Sequence, residues 1–200
     1  MRKNNHPNQT IILSKKLFEQ VVYYRSNDNI NSIHEINQLL DQGTSITEIA
    51  YYESPLSYAA RMNFVEVIQL FMDKGMDINT TFLGLWKIRN GSEVGYAATI
   101  LHFAAEYGFF DMAEFLLLNN AKFICDYRSK ISPLHIAIGK NFLDLIKLFI
   151  KNEADLLECN HIYQQNAYQW AEYGGNTEII SYFKQVKIGG EMINITDDGL

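Results

Sequence analysis

Five histidines and two cysteines are the residues of this chain best suited to move protons, bind metal or attack a carbonyl. A thiolate beside an imidazole would make a nucleophilic couple, so Cys125 with His102 or His135 is the pairing to weigh. The spacing argues for a duller role. His102 and His135 stand 33 residues apart (135 − 102), and Cys125 and Cys159 stand 34 apart (159 − 125). Residues that recur at one period occupy matching places in repeated units, instead of converging on one centre. His6, His34 and His161 share no local spacing with one another. No H-x-x-x-H pair and no CxxC motif forms a metal face. A phosphate-cradling glycine loop, a dinucleotide fingerprint and a nucleophile elbow are also missing. No catalytic residue, metal or cofactor is expected, and two free thiols in a reducing compartment are.

What must then be positioned is surface, and the bulk properties say which surface. Net charge is −6, with 48% hydrophobic and 20% charged residues, and the pI is ≈ 5.3. Phosphate backbones and anionic lipids select basic faces, so neither nucleic acid nor membrane is the expected partner. The early apolar stretches, Ile11–Leu13 and Val21–Tyr24, are interrupted by Ser14, Lys15, Lys16, Glu19 and Gln20. That is neither a signal peptide nor a membrane span, so the mature chain is expected to start near Met1 and to be cytoplasmic. Two hundred residues suit one repeat array or one ordinary domain.

The period seen in the histidines runs through the chain. Ser54-Pro55-Leu56-Ser57-Tyr58-Ala59-Ala60 opens one unit and Thr99-Ile100-Leu101-His102-Phe103-Ala104-Ala105 the next. Ser132-Pro133-Leu134-His135-Ile136-Ala137-Ile138 follows, then a degraded copy, Asn166-Ala167-Tyr168-Gln169-Trp170-Ala171-Glu172. A second element recurs behind each: Phe64 to Phe71, Phe109 to Leu116, Phe142 to Phe149 and Asn176 to Phe183. A closing element survives as Gly75-Met76-Asp77-Ile78-Asn79 and as Glu153-Ala154-Asp155-Leu156-Leu157.

This pattern resembles the ankyrin repeat, whose unit reads T-P-L-H-x-A-A, then G-H-x-E-I-V-x-L-L-L, then G-A-D-V-N. A half unit, Ser32 to Gly43, is similar to its second helix, and the resemblance covers roughly residues 13 to 184. It implies an all-α ankyrin-repeat solenoid of about five helix-turn-helix units with divergent terminal units. The ankyrin domain is expected over residues 1–186, with a flexible tail at 187–200. In such repeats the histidine ties loop backbone together, which is the role implied for His102 and His135. On neighbouring repeats, roughly 8–10 Å apart, Cys125 and Cys159 would be too distant to bridge.

The residue types agree with that reading on physical grounds alone. Pro55 and Pro133 suit the first turn of a helix, where a missing N–H costs nothing. Ser54, Thr99 and Ser132 can cap helix amides. The alanine pairs allow close helix approach, and Gly43, Gly75 and Gly108 suit helix ends. The first helix is expected over Thr10–Arg25, and the inner helices should start near Ser54, Thr99, Ser132 and Asn166. No single unit could bury its apolar face alone, but stacked units can.

The resemblance also implies a binding face: the concave side, made by loop tips and by positions just after the alanine pair. Those positions are Arg61 and Met62, Glu106 and Tyr107, Gly139 and Lys140, and Tyr173 and Gly174. Tyr51, Arg128 and Tyr163 are the loop residues of the matching type, since Tyr and Arg dominate binding energy at interfaces. After Asn79 the next unit begins about a dozen residues late. The extra text, near residues 80–98, has the alternation and the Asn90-Gly91 turn of a β-hairpin, with Trp86 and Arg89 on opposite faces. It either grips a partner or folds back on the array.

The expected function is a monomeric, non-catalytic module that binds another protein. An enzyme with a Cys/His site is the alternative. A small Asn- and Ile-rich ankyrin chain is also similar to effectors that intracellular bacteria deliver into eukaryotic cells, which would place it in host cytoplasm.

Overall fold

The computed structural model describes residues 7–24, 29–87, 93–125, 131–157, 165–188 and 191–192. The chain divides into two compact units, residues 1–83 and 84–200. In the first, α1 (Pro7–Tyr23) and α2 (Asn29–Asp41) form a hairpin, as do α3 (Pro55–Arg61) and α4 (Val65–Asp73). Helix α1 packs on α3, and α2 on α4. In the second, three hairpins follow: α5 (Ile100–Tyr107) with α6 (Phe110–Leu118), α7 (Pro133–Lys140) with α8 (Leu143–Lys151), and α9 (Ala167–Gly174) with α10 (Thr177–Phe183). There α7 lies between α5 and α9, and α6 touches α8.

The register is the expected one. Helices α3, α5, α7 and α9 begin one residue after Ser54, Thr99, Ser132 and Asn166. Ser54 Oγ, Ser132 Oγ and Asn166 Oδ1 accept from the amides of Ser57, His135 and Gln169, satisfying one of the orphan donors of each helix start. At the N-terminus α1 reaches back to Pro7 instead of starting at Thr10, because proline is preorganised for a first helical turn. Helix α2 starts at Asn29 and not Ser32, since the polar residues between hold no proline or glycine to stop it.

Small residues decide how close the inner helices come. Ala59, Ala104, Ala137 and Ala171 are all fully buried. Above and below them sit Leu56, Leu101 and Leu134, with Tyr168 in the degraded copy, also buried. The outer helices contribute Ile68 and Phe71, Met112 and Leu116, Ile146 and Phe149, then Ile179 and Phe183.

The four hairpins from α3 to α10 each close by passing through the left-handed backbone region. At the inner-helix ends this falls to Asn63, Gly108, Asn141 and Gly175, and at the outer-helix ends to Gly43, Gly75, Asn120 and Glu153. Asparagine tolerates that conformation through its short polar side chain; a glutamate does not, so Glu153 (φ 66) is strained. Gly108 is required twice over, since a Cβ there would stand 2.9 Å from the Phe142 ring.

The inserted segment forms two strands, β1 (Phe82–Lys87) and β2 (Glu93–Ala98), paired in one sheet. The connection at 88–92 is too short for a parallel crossover, so the pair is antiparallel. The turn expected at Asn90-Gly91 lies outside the described residues. Beyond α10, where a flexible tail is expected, β3 (Lys187–Ile188) and β4 (Glu191–Met192) pair antiparallel, Lys187 opposite Met192.

Candidate functional site

The two histidines of the repeat are spent on backbone. The Thr99 N–H donates to His102 Nδ1 at 3.0 Å. A nitrogen that accepts carries no proton, so the ring proton sits on Nε2, which donates to the Ile131 carbonyl at 3.3 Å. His135 repeats the arrangement: Ser132 Oγ lies 2.8 Å from Nδ1, and Nε2 points at the Gln165 carbonyl at 3.4 Å. Both residues are buried. Each ring therefore pins the loop of the following unit, and neither presents a nitrogen to a substrate. Cys125 is half-buried, its Sγ 4.0 Å from the Phe123 carbonyl oxygen. Glu158, Cys159 and His161 lie outside the described residues. Among the described residues no group of three or more His, Cys, Asp or Glu could hold a metal ion.

In the first unit, the residues expected to face a partner are already engaged. Arg61 forms an ion pair with Glu53, and its guanidinium lies 5.0 Å from the centre of the Tyr58 ring. Met62 is the C-cap residue of α3, its Sδ 3.6 Å from Arg61 Nη1. The Tyr51 hydroxyl donates to Glu19, and that bond, with burial a lesser cause, raises the phenol above its usual pKa. The Tyr51 ring also lies 5.6 Å from Phe18, with the Lys15 ammonium 5.5 Å away. Tyr52, not singled out by its sequence, is more exposed than Tyr51.

The second unit is arranged differently at the same positions. Tyr107 and Tyr173 are 44% and 56% exposed. The Tyr107 ring is stacked on Phe109 at 5.6 Å, which holds it in place. Glu106 on α5 reaches across to Lys140 on α7, pairing through Oε1. Its second oxygen, Oε2, is buried and has no hydrogen-bond partner. Beside this pair, Gly139 and Gly174 leave one of the two post-alanine positions in each of α7 and α9 without a side chain. The result is a cleft of about 540 Å³ lined by Glu106, Gly139, Lys140, Asn141, Trp170 and Gly174, among others.

Trp170, which forms one wall, was not among the expected residues. Its signal was present: it occupies the x of T-P-L-H-x-A-A, where Tyr58, Phe103 and Ile136 stand in the other units. The ring is held edge-on to His135 at 6.3 Å. A second hollow of about 840 Å³ runs along the outer helices past Phe110, Leu143, Lys147 and Lys151. It is a wide groove floored by ordinary helix–helix packing, without a polar atom left unsatisfied. Of the other expected contact residues, Arg89, Arg128 and Tyr163 lie outside the described residues, and Trp86 falls in β1 where only the backbone is described.

No helix of the described residues is long and apolar enough to cross a membrane. Among curated proteins, no relative matches the chain. The family model described as ankyrin repeats (3 copies) matches residues 23–131 and 101–197. With the period, the capped inner helices, the buried alanines and the histidine ties all in register, the chain belongs to the ankyrin-repeat family, with the all-α solenoid fold of that family.

Proposed function

We propose that this chain is a non-catalytic module that binds one partner protein across the exposed face of its inner helices and loop tips. Ankyrin repeats are in general protein–protein interaction modules, and the family is typically non-catalytic. The observation that carries the reading is the set Glu106, Tyr107, Lys140 and Tyr173, placed just after the alanines of successive repeats: Glu106 and Lys140 line one cleft, and Tyr107 and Tyr173 are exposed. Tyrosine supplies large, rigid contact area at small entropic cost, and a polar pair beside it supplies direction. Tyr51, Arg61 and Met62 are the proposed contacts of the first unit, and Trp86, Arg89, Arg128 and Tyr163 those of the loops and hairpin of the second. Action as a monomer in cytoplasm, or in host cytoplasm for a delivered effector, is part of the proposal.

The test begins with a partner recovered from native or host lysate and verified with purified components. Tyr107→Ala with Tyr173→Ala should weaken its binding by roughly 2 kcal/mol, about thirtyfold in Kd, while helicity by circular dichroism stays parental. An unchanged Kd in that double variant would move the interface elsewhere.

A further inference from the structure

We propose that the cleft between the ends of α5, α7 and α9 is a receptor for a basic side chain, arginine above all, on an extended segment of the partner protein. The inference rests on the interaction reading above and adds the chemistry of what is bound. Three features of the cleft agree on the sign of the charge.

The first is the carboxylate. Glu106 Oε1 is matched by Lys140, but Oε2 is buried and accepts nothing. A carboxylate has about four acceptor sites, and leaving a buried one empty costs free energy until a donor arrives. The second is the backbone. The lining residues Ile138, Gly139 and Lys140 are the last turn of α7, and Ala171 and Gly174 belong to the last turn of α9. Helix C-termini carry roughly half a negative charge each. Glu106 and Lys140 cancel, and the start of α10 at Asn176, which also lines the cleft, is capped by that residue's own Oδ1, so the two C-terminal ends leave the field negative. The third is Trp170, an aromatic wall of the kind on which a planar guanidinium stacks. The volume of about 540 Å³ exceeds what one side chain needs and falls within the range of ligand pockets. Lys140 is then a resident cation that draws on the same carboxylate through Oε1, while the incoming one binds Oε2.

Random dodecapeptides displayed on phage, panned on the full chain, provide the probe. The selected peptides should be enriched in arginine or lysine at one position. Their affinity should fall about tenfold or more on Glu106→Gln, the loss of a charge-assisted hydrogen bond. Gly174→Leu should do the same by filling the cleft. A Cβ at Gly174 meets no atom within 4 Å, so a side chain can start there without a backbone clash, and circular dichroism checks that the helices persist. Lys140→Met should tighten binding, because it removes the competing cation; a merely structural ion pair would give no such gain.

Selected peptides that are acidic or apolar, or basic peptides that bind Glu106→Gln and Gly174→Leu as well as the parent, would overturn the inference. If such peptides still lose affinity on Tyr107→Ala with Tyr173→Ala, the interaction face stands and the basic-residue receptor falls. If no selected peptide responds to any of these variants, both fall.

Discussion

The end of α3 in the first unit and the ends of α5, α7 and α9 in the second occupy the same place in the repeat, yet one surface is closed and the other open. At α3 the long Arg61 lies back over Tyr58 and is held by Glu53. At α7 and α9 the matching face has Gly139 and Gly174, and a carboxylate oxygen from α5 is left in the hollow. The scaffold is constant and the two side chains that follow the alanine pair decide whether it is sealed. A repeat fold can therefore vary its surface without disturbing its core, provided the two sets of positions are independent.

That independence can be broken experimentally. If Ala59 and Ala104 are equivalent floor positions, Ala59→Leu and Ala104→Leu should each cost ~1–3 kcal/mol by overpacking. Both residues are fully buried. Thermal melts in which only one of the pair loses stability would show that the two units do not share a core plan.

A comparable effect should separate the units at the fourth repeat position. In α5, His102 accepts from the Thr99 amide and reaches the Ile131 carbonyl, whereas in α3 Ser57 bonds only nearby groups, closing a capping box with Ser54 and donating to Glu53. His102→Leu should therefore cost about 2–3 kcal/mol, for buried groups left without partners, against about 1 kcal/mol for Ser57→Ala. Urea midpoints measure both. Equal losses would mean that the tie to the following loop adds nothing.

The smallest effect is confined to the first unit and to alkaline solution. The Tyr24 hydroxyl donates to Glu66 at 3.1 Å, and burial first, then that bond, push its pKa up from 10.0 to about 12. The folded state thus favours the protonated phenol. Its contribution is complete below pH 10, declines as pH rises past 10, and is gone above about 12. Tyr24→Phe should show a shallower fall in urea midpoint than the parent between pH 9 and roughly 11.5. Parallel curves would mean that Tyr24 does not ionise differently on folding.

Much of this was legible before any coordinates. The starts of four helices and their caps follow from residue type and period, because each depends on neighbours within one repeat; the histidine ties, which reach the next repeat, came from the ankyrin resemblance. Gly43, Gly75 and Gly108 announced left-handed turns, and Asn63, Asn120 and Asn141 could have, since asparagine shares that tolerance. Glu153 could not, as nothing in a glutamate signals a positive φ. The cleft was harder for another reason. Glu106, Gly139, Trp170 and Gly174 come from three repeats, and the bare Oε2 exists only once Lys140 has claimed its partner oxygen. Single positions were readable; a cavity defined by what glycine leaves out was not.

The strands β1 and β2 bear on how such a chain can gain new parts. The stretch from α4 to α5 runs over residues 74–99, 26 residues (99 − 73), whereas α6 to α7 takes 14 (132 − 118). Loop-closure entropy grows only with the logarithm of length, so this near doubling costs about 0.6 kcal/mol. Against the several kcal/mol held in each buried helix pair, that is a minor charge. A joint of this kind accepts foreign sequence cheaply while the hairpins on either side keep their own caps and turns. The array can thus be enlarged sideways at its joints as well as lengthwise by adding repeats, and short reporter or affinity segments should be tolerated at this joint.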